Sequence, residues 1–158
     1  QIPLAGSSIT NQAEATYLYA GYTIRLNSNE VAVTVAPVPD FSLTQNNAQR
    51  ASAGSSVGFP HRIRNTGNTP SRYTLGAANL GGDDYNLNNL EIIRDVNGNG
   101  IADPGEPVIA PGQEIALGVN QFADFVVRGV VPVGTAPNAS ARVEISASLV
   151  GGDLVKTN

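Results

Sequence analysis

The sequence predicts an all-β protein built as an antiparallel β-sandwich, and three observations lead to that fold class. Apolar and polar residues alternate with a period of two along several short segments, which is typical of strands with one buried face. Clusters rich in Asn, Gly, Pro and Asp, such as NTGNTP at 65–70 and APGQ at 110–113, separate these segments as turns do. No segment shows a convincing helical period. Short half-buried strands at this spacing indicate two antiparallel sheets packed face to face.

Five segments give the clearest alternation, and each predicts one apolar strand face. In chain order these faces are Ile9, Ala13, Ala15, Tyr17 and Tyr19; Val31, Val33 and Val35; Val57, Phe59, His61 and Ile63; Phe125, Val127 and Val131; and Ala141, Val143, Ile145, Ala147 and Leu149. Polar residues occupy most of the intervening positions, so each strand is expected to have one side in the core.

The chain also resembles itself. The stretch IPLAGSSITNQAEATYLYAG at 2–21 aligns with VPVGTAPNASARVEISASLVG at 131–151, because each starts with an apolar residue and proline and ends an alternating strand on Gly. The first copy comes without the other strands of such a unit. We therefore expect residues 1–37 to form an N-terminal two-stranded arm and residues 38–158 to form the sandwich. Three interpretations of the arm stay open: extra strands on its own sandwich, a remnant of a neighbouring repeat, or strands donated to the next subunit.

Composition excludes several functional classes. Hydrophobic residues make up 41% of the 158 residues, enough for a core, whereas charged residues make up only 14%, against about 25% in an average protein. A net charge of -4 and a single lysine, Lys156, argue against nucleic acid as a partner. No apolar run is long enough for a membrane span. Cysteine is absent, which excludes disulfides, thiolate metal sites and cysteine nucleophiles.

The N-terminal residues and the surface composition indicate where the protein is located. Methionine is absent even at position 1, which indicates either a processed product or an excised piece, and Gln1-Ile2-Pro3 suits a mature N-terminus left after signal-peptide removal. A lysine-poor exterior without disulfides and rich in Asn, Thr and Gly is typical of a secreted bacterial surface protein. We therefore expect an extracellular protein, on the bacterial cell surface or in a fibre.

One segment, DVNGNGIADPGE at 95–106, has the ligand spacing of a calcium loop. Acid or amide side chains stand at its positions one, three, five, nine and twelve, and Gly100 at position six allows a sharp turn, as in an EF-hand loop. Neither flank is predicted to be helical, since LNNLEIIR before the loop has strand character and Pro107 follows it. We predict one calcium ion as cofactor, bound by Asp95, Asn97, Asn99, the carbonyl of Ile101, Asp103 and Glu106.

Several motifs together resemble a known family. The segment AGSSVGFPHRIRNTGNTPSRYTL at 53–75 is similar to the conserved extracellular Ig-like repeat of bacterial and archaeal surface proteins. Similar proteins often have an AG-[ST]-x-ITN-x-A-x-A-x-Y opening, a later SN-x-V-x-V-x-V and a D-x-N-x-NG-x-x-D-x-x-E insert, matching 5–17, 28–35 and 95–106. The resemblance implies an Ig-like form of the sandwich. Pro60 departs from the family pattern and predicts an edge strand or a bulge at that point.

The remaining candidate residues give no catalytic site. His61, the only histidine, falls on the apolar face of its strand, so we expect a core histidine with a hydrogen-bond partner rather than a zinc ligand. Asp83 and Asp84 in GGDDYN fit a solvated turn, a second cation site or a contact with a neighbour. No nucleophile elbow, phosphate loop or pair of acids in a cleft is evident, so no enzyme activity is expected.

These features favour a calcium-stabilised structural protein that assembles head to tail with copies of itself into an extracellular filament or surface layer, by donor-strand pairing. The alternative is an adhesin-type repeat that binds a glycan or a protein. The two hypotheses differ in a simple observable, because a structural subunit should polymerise alone when calcium is added, whereas an adhesin repeat should stay monomeric.

Overall fold

A computed structural model of the chain describes residues 2–44 and 46–158. The described residues form thirteen strands and no helix, and strands make up 48% of the chain, so the all-β prediction is confirmed. No helix long and apolar enough to cross a membrane occurs among them. The chain divides into two compact units, Gln1–Val38 and Pro39–Asn158. The strands are β1 (Ser8–Asn11), β2 (Glu14–Tyr19), β3 (Tyr22–Asn27), β4 (Val31–Thr34), β5 (Phe41–Thr44), β6 (Ser56–Asn65), β7 (Ser71–Asn79), β8 (Asn88–Arg94), β9 (Val108–Ile109), β10 (Glu114–Leu117), β11 (Phe122–Val130), β12 (Val143–Leu149) and β13 (Val155–Thr157).

The second unit is a sandwich of two antiparallel sheets. One sheet has five strands in the order β5-β6-β11-β8-β9, and the other has four in the order β10-β7-β12-β13. The alternation predicted for β6 and β12 is confirmed, because Ile63 and Ile145 are buried between the sheets. The core cluster joins Phe41, Ile63, Ile92, Ile109, Ala123, Phe125 and Val127 of the five-stranded sheet to Tyr73, Leu75, Leu117, Ile145 and Ala147 of the other.

The NTGN segment at the end of β6 is held by the side chain of Asn65. Its Nδ2 donates to the carbonyls of Thr69 at 2.9 Å and of Leu117 at 3.0 Å, and its Oδ1 accepts the N–H of Gly67 at 3.0 Å. Asn65 is fully buried, and these three bonds satisfy the polar atoms that burial would otherwise penalise. Because Leu117 belongs to β10, one side chain connects the turn to the opposite sheet.

One edge of the sandwich is formed by two short strands, β5 and β13. β5 pairs only with the second half of β6, and β13 pairs only with the second half of β12. Lys156 on β13 donates to Asp40 Oδ1 at 2.9 Å and to the carbonyl of Phe41 on β5, so it joins the two sheets at this edge. The hydrogen bond from Lys156 also holds the pKa of Asp40 below its ordinary value.

Pro60 lies in the half of β6 that β5 does not cover. On the neighbouring strand β11, Val126 is opposite Pro60. The carbonyl of Pro60 accepts a hydrogen bond from the side-chain amide of Asn47 at 2.6 Å. The N–H and C=O of a strand residue point the same way, so the N–H that proline lacks would also face this uncovered side. The edge prediction for Pro60 is therefore correct locally, although β6 as a whole is an inner strand.

The first unit is a two-stranded ribbon, which we call the arm. β1 pairs with β4, and β2 pairs with β3 through a two-residue turn at Ala20 and Gly21, whose φ values of 50° and 83° are those of a type I′ hairpin turn. The single strand predicted for 9–19 is interrupted between β1 and β2. There the N–H of Ala13 donates to Ser28 Oγ at 2.9 Å, and its carbonyl accepts the N–H of Ser28 at 2.8 Å.

The β2–β3 hairpin of the arm has one apolar face and one mainly polar face. Paired residues of an antiparallel ribbon share a face. The apolar face contains Ala15, Tyr17, Tyr19, Tyr22, Ile24 and Leu26, and the polar face contains Glu14, Thr16, Leu18, Thr23, Arg25 and Asn27. In the β1–β4 pair of the arm, Ile9 is opposite Val33. Every strand residue of the arm except Ile24 is exposed.

We predict that Asn65→Ala destabilises the sandwich by about 2–4 kcal/mol, because it leaves several buried backbone groups without a partner, at about 1–3 kcal/mol each. The measurement is the free energy of unfolding in urea. Asn88→Ala, which removes an exposed amide at the start of β8, is the control and should change stability little. Equal stabilities of the two variants would contradict the structural role of Asn65.

Candidate metal centre

The predicted calcium loop is the connection of a β-hairpin. It leaves β8 at Arg94 and enters β9 at Val108, and the N–H of Arg94 donates to the carbonyl of Pro107 at 2.8 Å to close it. The strand predicted before the loop is thus confirmed as β8. At the first loop residue, the N–H of Asp95 donates to the carbonyl of Asp124 on β11 at 3.1 Å. Both ends of the loop are therefore fixed to the five-stranded sheet.

The carboxylate of Asp95 shapes the first turn of the loop. Its Oδ1 accepts the N–H groups of Gly98 at 2.6 Å and Asn99 at 3.2 Å, and its Oδ2 accepts that of Gly100 at 2.8 Å. Asp95 is only 5% exposed, so these bonds compensate for the water that the carboxylate has lost. Gly100 has φ +77°, in the left-handed region that favours glycine, which explains the glycine at position six.

Three of the predicted ligands meet at one point. Asp103 Oδ2 accepts the side-chain amides of Asn97 at 2.8 Å and Asn99 at 2.7 Å. The amide oxygens face the backbone, where Oδ1 of Asn97 accepts the N–H of Asn99 at 3.0 Å and Oδ1 of Asn99 accepts that of Ile101 at 2.8 Å. The loop thus gathers its third, fifth and ninth positions around a single carboxylate oxygen.

Glu106 connects the end of the loop to its beginning. Its Oε1 accepts the N–H of Val96 at 2.8 Å, and its Oε2 accepts the N–H of Asp103 at 3.0 Å. The side chain of Ile101 is exposed, as expected of a residue whose predicted role uses only its carbonyl. The twelfth position therefore connects the two ends of the loop through backbone N–H groups.

The structure does not bring the whole predicted ligand set together. In the described part of the chain, no three His, Cys, Asp or Glu side chains form a cluster that could hold a metal ion. Asp95, Asp103 and Glu106 each accept N–H groups at separate positions of the loop. The donor atoms that the loop offers are nevertheless all oxygens, from carboxylates, amides and carbonyls, and this donor set fits a hard cation such as calcium rather than zinc.

A hollow of about 350 Å³ beside the loop has a different character. Asp95 and Asn99 line one side, and Arg62 and Asp124 line the other. Arg62 donates to both carboxylate oxygens of Asp124, from Nε at 2.6 Å and from Nη2 at 2.8 Å, and this pairing raises the pKa of Arg62. The guanidinium makes this hollow unfavourable for a cation.

Asp83 and Asp84 join two segments of the chain by hydrogen bonds, a role that the sequence did not indicate. Asp84 Oδ2 accepts the N–H of Ser140 at 2.7 Å and its hydroxyl at 3.0 Å, and Asp83 Oδ2 accepts the N–H of Arg142 at 2.5 Å. The bond from the backbone of Ser140 is the main reason that the pKa of Asp84 is lowered. The two acids thus fasten the turn after β7 to the segment before β12.

His61 lies in the core, as predicted. It is buried and stacks on Phe125, with ring centroids 5.6 Å apart and an interplanar angle of 21°. Burial lowers the pKa of His61, and a hydrogen bond with the backbone of Thr44 only partly offsets this effect. Its Nδ1 has no hydrogen-bond partner among the described residues. These surroundings favour the neutral imidazole.

Comparison with protein-family models gives no match for this chain, and comparison with curated proteins gives none either. The similarity of its motifs to an extracellular Ig-like repeat therefore stays a prediction from the sequence.

We predict that His61 makes stability depend on pH between about 7.5 and 5. Its folded pKa is depressed, so its stabilising contribution is complete above the unfolded pKa of about 6.5 and is lost as pH falls through the folded pKa. The measurement is the Tm at both pH values for the wild type and His61→Phe, which keeps the aromatic packing but cannot titrate. The variant should lose less Tm on acidification, and equal losses would contradict the prediction.

Proposed function

We propose that the chain is a non-enzymatic extracellular structural protein, a calcium-stabilised subunit of a self-assembling filament or surface layer on a bacterial cell. The observation that carries this proposal is the uncovered apolar face of the arm. On that face Tyr19 and Tyr22 are 69% and 75% exposed, and Leu26 is 54% exposed. Contiguous exposed apolar surface of this kind marks an interaction site.

The stability of small β structures supports the same proposal. A single two-stranded hairpin is marginally stable in water, because it has no second layer against which to bury its apolar face. Chains shorter than about 40 residues generally need disulfides, metals or association to fold. The arm has no cysteine, so association is the available route.

A copy of the same chain is the partner that we propose. The arm pairs its own strands with each other, so it would be donated as a ribbon with two free outer edges rather than as separate strands. Such an edge can extend a sheet of another molecule by main-chain hydrogen bonding. Donation in one direction along successive copies does not close on itself and therefore generates a filament.

Calcium is the cofactor that we propose for the loop at residues 95–106. A cation beside Asp103 would replace the two amide N–H groups that this carboxylate accepts, and the amides of Asn97 and Asn99 would offer their oxygens instead. Asp95 and Glu106 would complete the oxygen donor set. An exposed loop of this kind suits the affinities of extracellular calcium modules, with a Kd on the order of 10⁻⁴ to 10⁻³ M.

Calcium binds the folded loop and not the unfolded chain, so it should raise the free energy of unfolding of the wild type by about 2.7 kcal/mol at a hundredfold excess over Kd, and the Tm should rise with it. Asp103→Asn should abolish most of this shift, since it removes a ligand charge without touching the backbone bonds of Asp95. Asp153→Asn, an exposed acid outside the loop, is the control. A wild-type Tm that is the same in calcium and in chelator would contradict the site.

The wild type should polymerise when calcium is added, as seen by negative-stain microscopy and sedimentation. Replacing Tyr17 and Leu26 together by Ser should prevent this, because both lie on the apolar face of the arm. Leu18→Ser, on the polar face, is the matched control and should polymerise. A wild type that stays monomeric at high concentration with calcium would overturn the filament proposal and favour an adhesin-type repeat.

A further inference from the structure

Three connecting segments meet at the end of the sandwich that lies opposite the loop at residues 95–106. They are the segment before β6, the segment between β7 and β8, and the segment between β11 and β12. Ser56 at the start of β6 pairs with Val130 at the end of β11. On the other sheet, Asn79 at the end of β7 pairs with Val143 at the start of β12. Loops that are grouped on a rigid sandwich in this way are frequent positions for binding residues.

Hydrogen bonds fix the segment between β11 and β12 to both of its neighbours. The N–H of Gly54 donates to the carbonyl of Val131 at 2.9 Å, and the N–H of Val131 donates to the carbonyl of Ser55 at 2.9 Å. On the other side, Asp84 accepts the N–H and the hydroxyl of Ser140, and its own N–H donates to the carbonyl of Ser140 at 3.0 Å. The three segments are therefore held in one arrangement, which lowers the ordering cost of binding a ligand.

Two hollows lie side by side at this end of the sandwich, with volumes of about 600 and 450 Å³. Both volumes are in the range of small-ligand sites. Tyr85, Asn138 and Ala139 line both hollows, so they form the boundary between them. The first hollow also includes residues 48–51, and the second also includes Asp84 and residues 134–137. One half-buried aromatic ring is thus available to a ligand that occupies both hollows.

The chemistry of the lining favours a polar ligand with many hydroxyl groups. The side chains of Gln49, Arg50, Thr135 and Asn138 can all donate hydrogen bonds. Among the described residues that line the hollows, the apolar side chains are only alanines and a proline, apart from the ring of Tyr85. A lipid or an apolar peptide anchor would need larger apolar side chains than these. A sugar needs hydrogen-bonding groups and one aromatic face, and both are present.

Asn138 has an unusual backbone conformation at the boundary of the two hollows. Its φ of 63° lies in the left-handed region, which few residues other than glycine adopt and which asparagine tolerates best. Residues held in such conformations occur preferentially at binding sites. The exposed amide of Asn138 offers a donor and an acceptor to the same ligand that contacts Tyr85.

We propose that this end of the sandwich binds an acidic oligosaccharide. One sugar packs its C–H face on the ring of Tyr85, whose face carries partial negative charge, and Asn138 hydrogen-bonds to its hydroxyl groups. The carboxylate of a uronic acid unit pairs with the guanidinium of Arg50, which forms no ion pair among the described residues. This inference goes beyond the proposed function and does not depend on it.

Charge decides which hollow takes the acidic sugar. Arg50 lines only the first hollow, and Asp84 lines only the second. The hydrogen bond from the backbone of Ser140 keeps the pKa of Asp84 low, so this side chain is negative at neutral pH and repels another carboxylate. The acidic unit therefore belongs in the first hollow, and a neutral unit with hydroxyl or amide groups belongs in the second.

A titration followed by NMR tests the site with two probes. Hyaluronan tetrasaccharide alternates glucuronate with a neutral amino sugar, and chitotetraose is neutral throughout. The full chain, labelled with nitrogen-15, is titrated in the presence of a calcium chelator, in which the proposed filament does not form. We expect amide shifts confined to residues 48–51, 84–86 and 134–140, with a Kd for hyaluronan on the order of 10⁻³ M and binding of chitotetraose about tenfold weaker.

Three variants separate the contributions to binding. Tyr85→Ala should weaken both probes by about tenfold. Arg50→Gln, at an exposed residue, should fold normally and weaken hyaluronan alone, to the affinity of chitotetraose. Arg64→Gln is the matched control, because Arg64 is an exposed arginine of β6 outside both hollows, and it should bind as the wild type does.

Three results would overturn this proposal. The first is the absence of shifts with either probe up to about 10 mM, ten times the expected Kd. The second is an equal loss of hyaluronan binding in Arg50→Gln and Arg64→Gln, which would indicate attraction by overall charge. The third is tighter binding of hexaglutamate than of hyaluronan at the same residues, which would assign the surface to an acidic peptide. None of these results bears on polymerisation, so the filament proposal is tested separately.

Discussion

The requirement that strand backbone groups find partners governs both units of this protein. In the sandwich, β6 pairs with β5 and β11, and β12 pairs with β7 and β13. In the arm, two strands satisfy each other on one side only. An unpaired edge is a template for pairing with another chain, and the arm has such an edge along each of its outer sides.

Several separate contacts hold the two sheets of the sandwich together. Asn65 bonds to the carbonyl of Leu117 on the opposite sheet, and Phe41 packs on Tyr73 across the core with ring centroids 5.0 Å apart. Lys156 joins β13 to the start of β5. These contacts join the sheets at strands on both edges of the four-stranded sheet, β10 and β13.

The sequence predicts those parts of the structure that depend on local patterns. Alternation located β6 and β12, and ligand spacing located the loop that follows β8. The sequence pattern did not reveal β7, whose inner face consists of Tyr73, Leu75 and the small Ala77. The break in the arm strand at Ala13 and the hydrogen bonds between Asp84 and Ser140 were also missed, because each depends on partners distant in the chain. Within the loop at residues 95–106, spacing predicts oxygen ligands but not the hydrogen bonds in which these oxygens take part.

The loop at residues 95–106 is connected to β6 by two contacts. Gly100 lies against Pro60, whose Cβ would be 3.5 Å from a side chain at that glycine. Arg62, two residues further along β6, binds Asp124, which also accepts the N–H of Asp95. A cation that orders the loop would therefore also restrain this part of β6, so a ligand of the loop would act on the five-stranded sheet as well as on the loop.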